Sequence, residues 1–417
     1  MAKLVVQGKK RLEGKLQVHG AKNSVLPILA AGILSKGCVI HNCPQLTDVD
    51  AACDILEYLG AKTKREGDTI AIQPQDSGNC CIPDELMRRM RSSIVFLGAI
   101  IARCGHARLS MPGGCELGPR PIDLHLGALE RLGVKIEEDH GYLNCTAPKG
   151  LAGAVIPLPF PSVGATENIM IAASLAKGET VIKNAAREPE ISDLADFLCA
   201  CGAKVQMGRN GDICVQGVPA LGEAEHTVIS DRIAAATYLS AAAATGGDIT
   251  LAGICTEHLS AVLPCFEEMG CSVWQKADEI RLKAPDRLHA LRCIRTMPYP
   301  GFPTDAQSPL MAAACVADGS SMFIENIFES RYKQVPELLR MGADIKVEGR
   351  VALVHGVPEL HSAQVRCTDL RGGAAIVIAA LAAQGQSEIL EIGHIDRGYE
   401  RLEESLSSVG AAIRRVH

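Results

Sequence analysis

Residues 338–356 read LLRMGADIKVEGRVALVHG, and their pattern decides the fold. An apolar helical pattern stops at Gly342, a short alternating strand follows, a polar turn at Glu348-Gly349-Arg350 reverses the chain, and a second alternating strand runs through Val351–Val354. A glycine just past a helix supplies the left-handed cap. The change from helical to two-residue periodicity then marks a strand pair. The signature recurs six times, as EYLGAK, ERLGVK, CACGAK, EEMGCS, LRMGAD and SSVGAA. Its glycines are Gly60, Gly133, Gly202, Gly270, Gly342 and Gly410, spaced 73, 69, 68, 72 and 68 residues apart. Units of this length far exceed solenoid repeats, so they predict compact domains of several units rather than a stack.

A second series runs in step. Six Ala-rich helical patterns end at Gly37, Gly105, Gly178, Gly246, Gly319 and Gly385. They are apolar nearly all round, which places them inside the domains. Each unit therefore holds one inner helix, one outer helix and several strands, an α/β fold of βαβαββ type. After Gly410 only AAIRRVH remains, so the sixth unit lacks closing strands. The N-terminal LVVQGKKRLEGKLQV resembles ICVQGVPALGEAEHTV and ALVHGVPELHSAQVRC, and residues 1 to about 21 are expected to complete that unit. Three units per domain then gives one domain over residues 22–229 and another from residues 1–21 with 230–417.

Composition narrows the function. The chain has 417 residues, 47% hydrophobic, enough for more than one core. A net charge of −6 and 3% aromatic content argue against nucleic-acid binding, which needs a basic face and stacking rings. No apolar run reaches membrane-spanning length, and the N-terminus has no signal-peptide core. A cytoplasmic protein with reduced thiols is expected, its 17 cysteines being far below disulfide-scaffold density. No GxGxxG after a strand, no GxxxxGK[ST], no CxxC and no HExxH occur, which argues against Rossmann, Walker and zinc sites.

Polar residues cluster where the inner helices begin: Lys22-Asn23, Arg91, Ala165-Thr166, Asp231-Arg232, Asp305 and Asp369-Leu370-Arg371. Helix N-termini attract anions. Asp231 and Asp369 also fit plain N-caps, whereas Lys22 and Arg91 are not preferred caps and point to a ligand. If these ends face one cleft, it collects Lys22, Arg91, Arg120, Arg232, Arg371, and also Arg331 and Arg397, and calls for phosphates or carboxylates. Cys115, behind Gly113-Gly114 and near arginines, reads as an exposed reactive thiol, although most cysteines are small buried hydrophobes. Cys199, Cys255 and Cys315 read as packed positions.

Eight stretches now carry a resemblance: GAKNSVLPILAA (20–31), MRSSIVFLGAIIAR (90–103), PGGCELGPRPIDLHL (112–126), SVGATENIM (162–170), NAAREPEI (184–191), GFPTDAQ (301–307), DLRGGAA (369–375) and HIDRGYERLEE (394–404). From end to end the chain resembles the UDP-N-acetylglucosamine enolpyruvyl transferases (1-carboxyvinyltransferases) of the EPSP synthase superfamily. The resemblance implies a two-domain inside-out α/β barrel, helices inside and sheets outside, closing over a cleft. It implies transfer of the enolpyruvyl group of phosphoenolpyruvate to the 3′-hydroxyl of UDP-N-acetylglucosamine, the first committed step of peptidoglycan synthesis. The route is addition then elimination through a tetrahedral intermediate, with no metal or organic cofactor.

By the same resemblance, Cys115 is the loop thiol that protonates the enol carbon or assists product release. Asp305 takes the sugar hydroxyl proton. Lys22, Arg120 and Arg397 hold the phosphoenolpyruvate anion, with Asn23, Cys115, Arg331 and Arg371 alongside; Lys22 and Arg397 count with Cys115 and Asp305 as catalytic. The nucleotide sugar is implied to meet Asn23, Arg91, Arg120, Pro121, Ile122, Asp123, Leu124, Ser162, Val163, Gly164, Asp305 and Ile327. The expected partners are these two small molecules, with no nucleic acid and no membrane, and the chain is expected to act as a monomer. Glu116, Ala234 and Ala236 depart from the usual family residues, and Phe160 stands where some members have lysine.

Overall fold

The computed structural model describes residues 2–75, 78–110 and 122–417, with Arg91 by its backbone alone. The glycines that set the repeat all lie in the left-handed region, with φ from +86° at Gly270 to +98° at Gly410. Only glycine takes that conformation without strain at the end of a helix. Beyond the first five the chain enters a hairpin, as after Gly342, where Asp344–Glu348 pairs antiparallel with Val351–His355; beyond Gly410 the single strand Ala412–Val416 pairs with the N-terminal Lys3–Gln7 instead.

Among the described residues the strands form six separate four-stranded sheets. The sheet of the sixth repeat shows the rule: Gln364–Arg366 runs parallel to Gln386–Leu390, which is antiparallel to Lys3–Gln7, which is antiparallel to Ala412–Val416. None of these six sheets closes on itself, so the expected inside-out barrel is, among the described residues, a set of open sheets around helices. Alternating burial, as in Val351–His355, leaves one face of each sheet to solvent and one against the core.

The N-terminal strands do not both complete the sixth unit. Lys3–Gln7 joins its sheet, but Glu13–Gln17 pairs parallel with Asp248–Ala252 of the fourth repeat. In return Glu223–Thr227, which precedes the fourth inner helix, pairs parallel with Gly37–His41 of the first. Two edge strands are thus exchanged at the points where the chain passes between its two compact units. One unit holds the residues up to His19 and Ser230–His417; the other holds the described part of Gly20–Ile229.

Each unit has its own core. In the Gly20–Ile229 unit the inner helices are Lys22–Gly32, Phe96–Cys104 (entered through a 3-10 turn, Arg91–Val95) and Val163–Ala173. In the other they are Arg232–Ala244, Thr304–Ala314 and Leu370–Ala382. Nearly every residue of these helices is buried, which is why they carry no polar stripe and are built from Ala, Ile, Leu and Gly. The second and third meet at Gly98, where a Cβ would lie 2.5 Å from the Asn168 carbonyl oxygen. The Asn168 side chain accepts from the Gly98 amide at 2.7 Å and donates to the Ile94 carbonyl at 2.9 Å, satisfying both polar ends inside an apolar core. Pro27 and Pro309 supply no amide to the carbonyls of Asn23 and Asp305, so both first turns depart from the regular ladder.

Candidate functional site

Within each unit, polar side chains lie where the inner helices start. In the Gly20–Ile229 unit, Lys22 is the first residue of its helix, and its Nζ lies 2.7 Å from Asp48 Oδ2. Asp48 is fully buried and Lys22 nearly so. Inside protein such a pair is expensive to form and holds its members in one geometry. Asn23 follows, half-buried. The neighbouring Ser24 hydroxyl donates to Asp193, whose other oxygen meets His226 Nε2 at 2.8 Å. The first turn is thereby anchored to the outer helix Pro189–Ala200.

Ser162 caps the third inner helix by accepting from the Ala165 amide at 3.4 Å, and the Thr166 hydroxyl donates to the Ser162 carbonyl at 2.8 Å. Val163 and Gly164 open the helix. A Cβ on Gly164 would meet the His125 ring at 3.0 Å, so the glycine lets this turn lie close on the imidazole without displacing it. His125 Nδ1 is 2.7 Å from Asn168 Nδ2; as acceptor there, the ring carries its proton on Nε2, toward Gly164. Through His125 the structure brings Ser162, Val163 and Gly164 together with the segment Ile122 (buried), Asp123 (exposed) and Leu124 (half-buried).

Directly after Thr166 in the third inner helix, Glu167 is buried, and burial, reinforced by Glu190 and Glu188, raises its pKa to about 8. SVGATENIM carried this carboxyl in plain view. The signal is a glutamate on a helix otherwise buried all round.

In the other unit the fifth inner helix begins at Thr304, and Asp305 sits in its first turn rather than at its cap. Asp305 Oδ1 accepts from Arg331 Nη2 at 2.9 Å, and Oδ2 accepts from Arg371 Nε at 3.2 Å and Nη2 at 3.1 Å. Both arginine side chains are 2% exposed, against 26% for Asp305. Arg331 Nη2 also donates to the Thr304 carbonyl at 3.0 Å. Arg371 lies over the Tyr399 ring at 5.2 Å. Burial opposes its charge, but Tyr399, Asp305 and Asp231 outweigh it and raise its pKa. Arg331 Nε and Arg371 Nη1 are buried without a hydrogen-bond partner among the described residues. Buried donors left this way are costly, and an anion is a fitting acceptor for them.

Asp231 and Asp369 resolve toward capping. Asp231 accepts from the Ile233 and Ala234 amides at 2.8 and 2.9 Å, and Asp369 from those of Arg371 and Gly372 at 3.0 and 2.9 Å. Asp369 so fixes the backbone that carries Arg371. Arg232 is buried with its guanidinium 5.7 Å from the Tyr299 ring. Ala234 and Ala236 are fully buried.

Arg397 is half-buried at the end of the short helix Gly393–Asp396. Arg415 grips that helix by a fork onto Asp396, at 2.9 and 2.6 Å, and also bonds Glu403. Ile327 is half-buried, its amide 2.7 Å from Glu325 Oε1. Asp48, Glu325 and the Arg415 cluster went unread in the sequence, because folding and not a recognisable spacing brings Lys22, Thr304 and Asp396 to them.

Cys115, Glu116, Arg120, Pro121 and the side chain of Arg91 lie outside the described residues. Two of the three packed cysteines need correction: Cys199 is exposed and Cys255 half-buried, while Cys315 is buried as expected. Cys199 falls on the solvent side of its outer helix. Phe160 is exposed.

The family model for EPSP synthase (3-phosphoshikimate 1-carboxyvinyltransferase) matches residues 6–406. The chain belongs to this family. It is 51% identical, over the full length of both chains, to UDP-N-acetylglucosamine 1-carboxyvinyltransferase 2 of Caldanaerobacter subterraneus subsp. tengcongensis. It is 50% identical to UDP-N-acetylglucosamine 1-carboxyvinyltransferase 1 of Symbiobacterium thermophilum, covering 99% of this chain and 95% of that protein. Among solved structures it superposes on the enolpyruvyl transferase NikO of Streptomyces tendae with a TM-score of 0.91 at 25% identity, covering 100% and 99% of the two chains. EPSP synthase of Acinetobacter baumannii shares the fold, with a TM-score of 0.76 at 18% identity and full coverage of both chains.

Proposed function

We propose that this protein transfers the enolpyruvyl group of phosphoenolpyruvate to the 3′-hydroxyl of UDP-N-acetylglucosamine, releasing phosphate, as the entry to peptidoglycan synthesis. The observation that carries the reading is full-length identity of 45–51% to six proteins that all bear the carboxyvinyltransferase name for that acceptor. The shikimate-directed enzymes share the fold at 18% identity. No helix among the described residues is long and apolar enough to cross a membrane. We place the reaction in the cytoplasm, with residues 22–229 as one domain and residues 1–21 plus 230–417 as the other.

Asp305 takes the 3′-hydroxyl proton while the oxygen forms its bond to C2 of phosphoenolpyruvate and C3 receives a proton. The tetrahedral adduct then loses a C3 proton, the double bond re-forms, and the C2–O bond to phosphate breaks. Cys115 serves the proton transfer at C3 or the release of product. Lys22, Arg120 and Arg397 hold the carboxylate and phosphate, with Asn23, Arg331 and Arg371 beside them. Such fixed charges act where negative charge builds. The orphaned donors of Arg331 and Arg371 support an anion there. Ser162–Gly164 and Ile122–Leu124, joined through His125, suit the nucleotide-sugar end, with Arg91, Arg120, Pro121 and Ile327.

The test is acceptor choice. Phosphate release from phosphoenolpyruvate is expected with UDP-N-acetylglucosamine and absent with shikimate 3-phosphate. The reverse preference, or release with neither, contradicts the proposal.

A further inference from the structure

The Asp305 carboxylate is held by more than its two arginines. Thr304, immediately before it, donates its hydroxyl to Glu325 Oε2 at 2.9 Å. The other oxygen of Glu325 accepts from two successive backbone amides, Ile327 at 2.7 Å and Phe328 at 2.9 Å. Glu325 is 1% exposed, yet it makes three hydrogen bonds and no ion pair among the described residues. A buried carboxylate is tolerated when donors satisfy it, and here all three donors belong to one corner of one unit.

The next residues tighten the corner. The Asn326 amide donates to Thr296 Oγ1 at 2.8 Å, and its side chain donates to the Thr296 carbonyl at 3.1 Å. Arg331, at the far end of the same loop, returns to the Thr304 carbonyl and to Asp305. The loop is therefore fastened to the start of the Asp305 helix twice, by Glu325 through the Thr304 hydroxyl and by Arg331 through the carbonyl and carboxylate. Both fastenings meet at Thr304. The helix has Pro303 at its cap position with no side-chain cap, so Thr304–Glu325 does the locating that a capping side chain performs elsewhere.

We propose that Glu325 is a positioning residue for the base. It sets the first turn carrying Asp305 and, by the same carboxylate, the Ile327-Phe328 turn. The inference rests on Asp305 acting as the base in the proposed transfer. Glutamine suits the same pattern: its amide oxygen accepts from the two backbone amides, and its NH2 faces a Thr304 hydroxyl able to accept. Alanine removes both halves. Misplacing a catalytic group by about an ångström costs on the order of 100-fold in rate.

Two measurements on the full-length protein test this. In steady-state turnover, Glu325→Ala is expected to lower kcat by roughly 10- to 100-fold with a smaller change in KM for phosphoenolpyruvate, Thr304→Val to lower it by a lesser factor, and Glu325→Gln to restore most of it. In hydrogen exchange, which needs no turnover, Glu325→Ala is expected to speed exchange of the Ile327 and Phe328 amides and of the first turn of the Asp305 helix, and Glu325→Gln to leave them slow. Wild-type turnover tests the proposed reaction by itself. Unchanged exchange at both segments in Glu325→Ala, or a Glu325→Ala enzyme as fast as wild type, overturns the positioning role.

Discussion

Replacing Asp305 separates chemistry from support. Asp305→Asn keeps the shape and removes the proposed base; Asp305→Ala removes both. Losing a positioned base costs about 10²- to 10⁴-fold in kcat, or about 3–5 kcal/mol of barrier. The structural cost follows from the two guanidinium groups, each 2% exposed, that lean on one carboxylate. Breaking a buried pair costs about 3–5 kcal/mol. Because Asp305 itself is 26% exposed, screening reduces this to about 2–3 kcal/mol for the alanine variant. Phosphate release gives the rate, and urea denaturation of the same samples gives the stability. Both variants should lose turnover to a similar extent, while alanine loses more stability than asparagine. Turnover of Asp305→Asn within about threefold of wild type would refute the base assignment. Wild-type stability of Asp305→Ala would refute the claim that this carboxylate compensates the two arginines.

Two further outcomes follow from burial. Glu167 has a folded pKa of about 8, above its unfolded value, so its contribution to stability is full at acid pH and is lost as pH rises through about 8. Glu167→Gln should therefore gain stability relative to wild type between pH 6 and 9, on the order of 2–4 kcal/mol at the alkaline end, read by denaturation at each pH; parallel curves refute the buried-acid reading. Burial also raises many thiols, to about 12 at Cys315 and Cys367, whereas Cys81, Cys199 and Cys293 are exposed. A general alkylating reagent should mark the exposed three, and the phosphoenolpyruvate-mimicking epoxide fosfomycin should mark Cys115 instead, as peptide mapping would show; fosfomycin label on the exposed three, sparing Cys115, contradicts the thiol assignment.

Much of this was legible in the sequence, for physical reasons. A left-handed cap needs glycine, so the repeat announces itself at Gly60, Gly133, Gly202, Gly270, Gly342 and Gly410. Helices buried on every side must be apolar on every side, so charges at their first turns stood out. The exchange of Glu13–Gln17 with Glu223–Thr227 was not legible. Both are short strands with exposed residues, and either satisfies either sheet edge locally. Among the proposed site residues, Lys22, Asp305 and Arg371 could be picked out singly. Their supports could not, since Asp48, Glu325 and Arg415 are ordinary surface types in sequence and meet their partners only on folding. Asp231 and Asp369 show the converse: the cap reading was available, and hydrogen-bond geometry decides for it.

The most direct test of the central claim follows an atom. Phosphoenolpyruvate labelled with heavy oxygen in its carbon–oxygen–phosphorus bridge is incubated with the protein and UDP-N-acetylglucosamine, and both products are weighed by mass spectrometry. Addition and elimination break the C2–O bond, so the label should leave with phosphate and the nucleotide sugar should gain one unlabelled enolpyruvyl group. Label retained by the three-carbon fragment, or a nucleotide sugar of unchanged mass, would contradict the account.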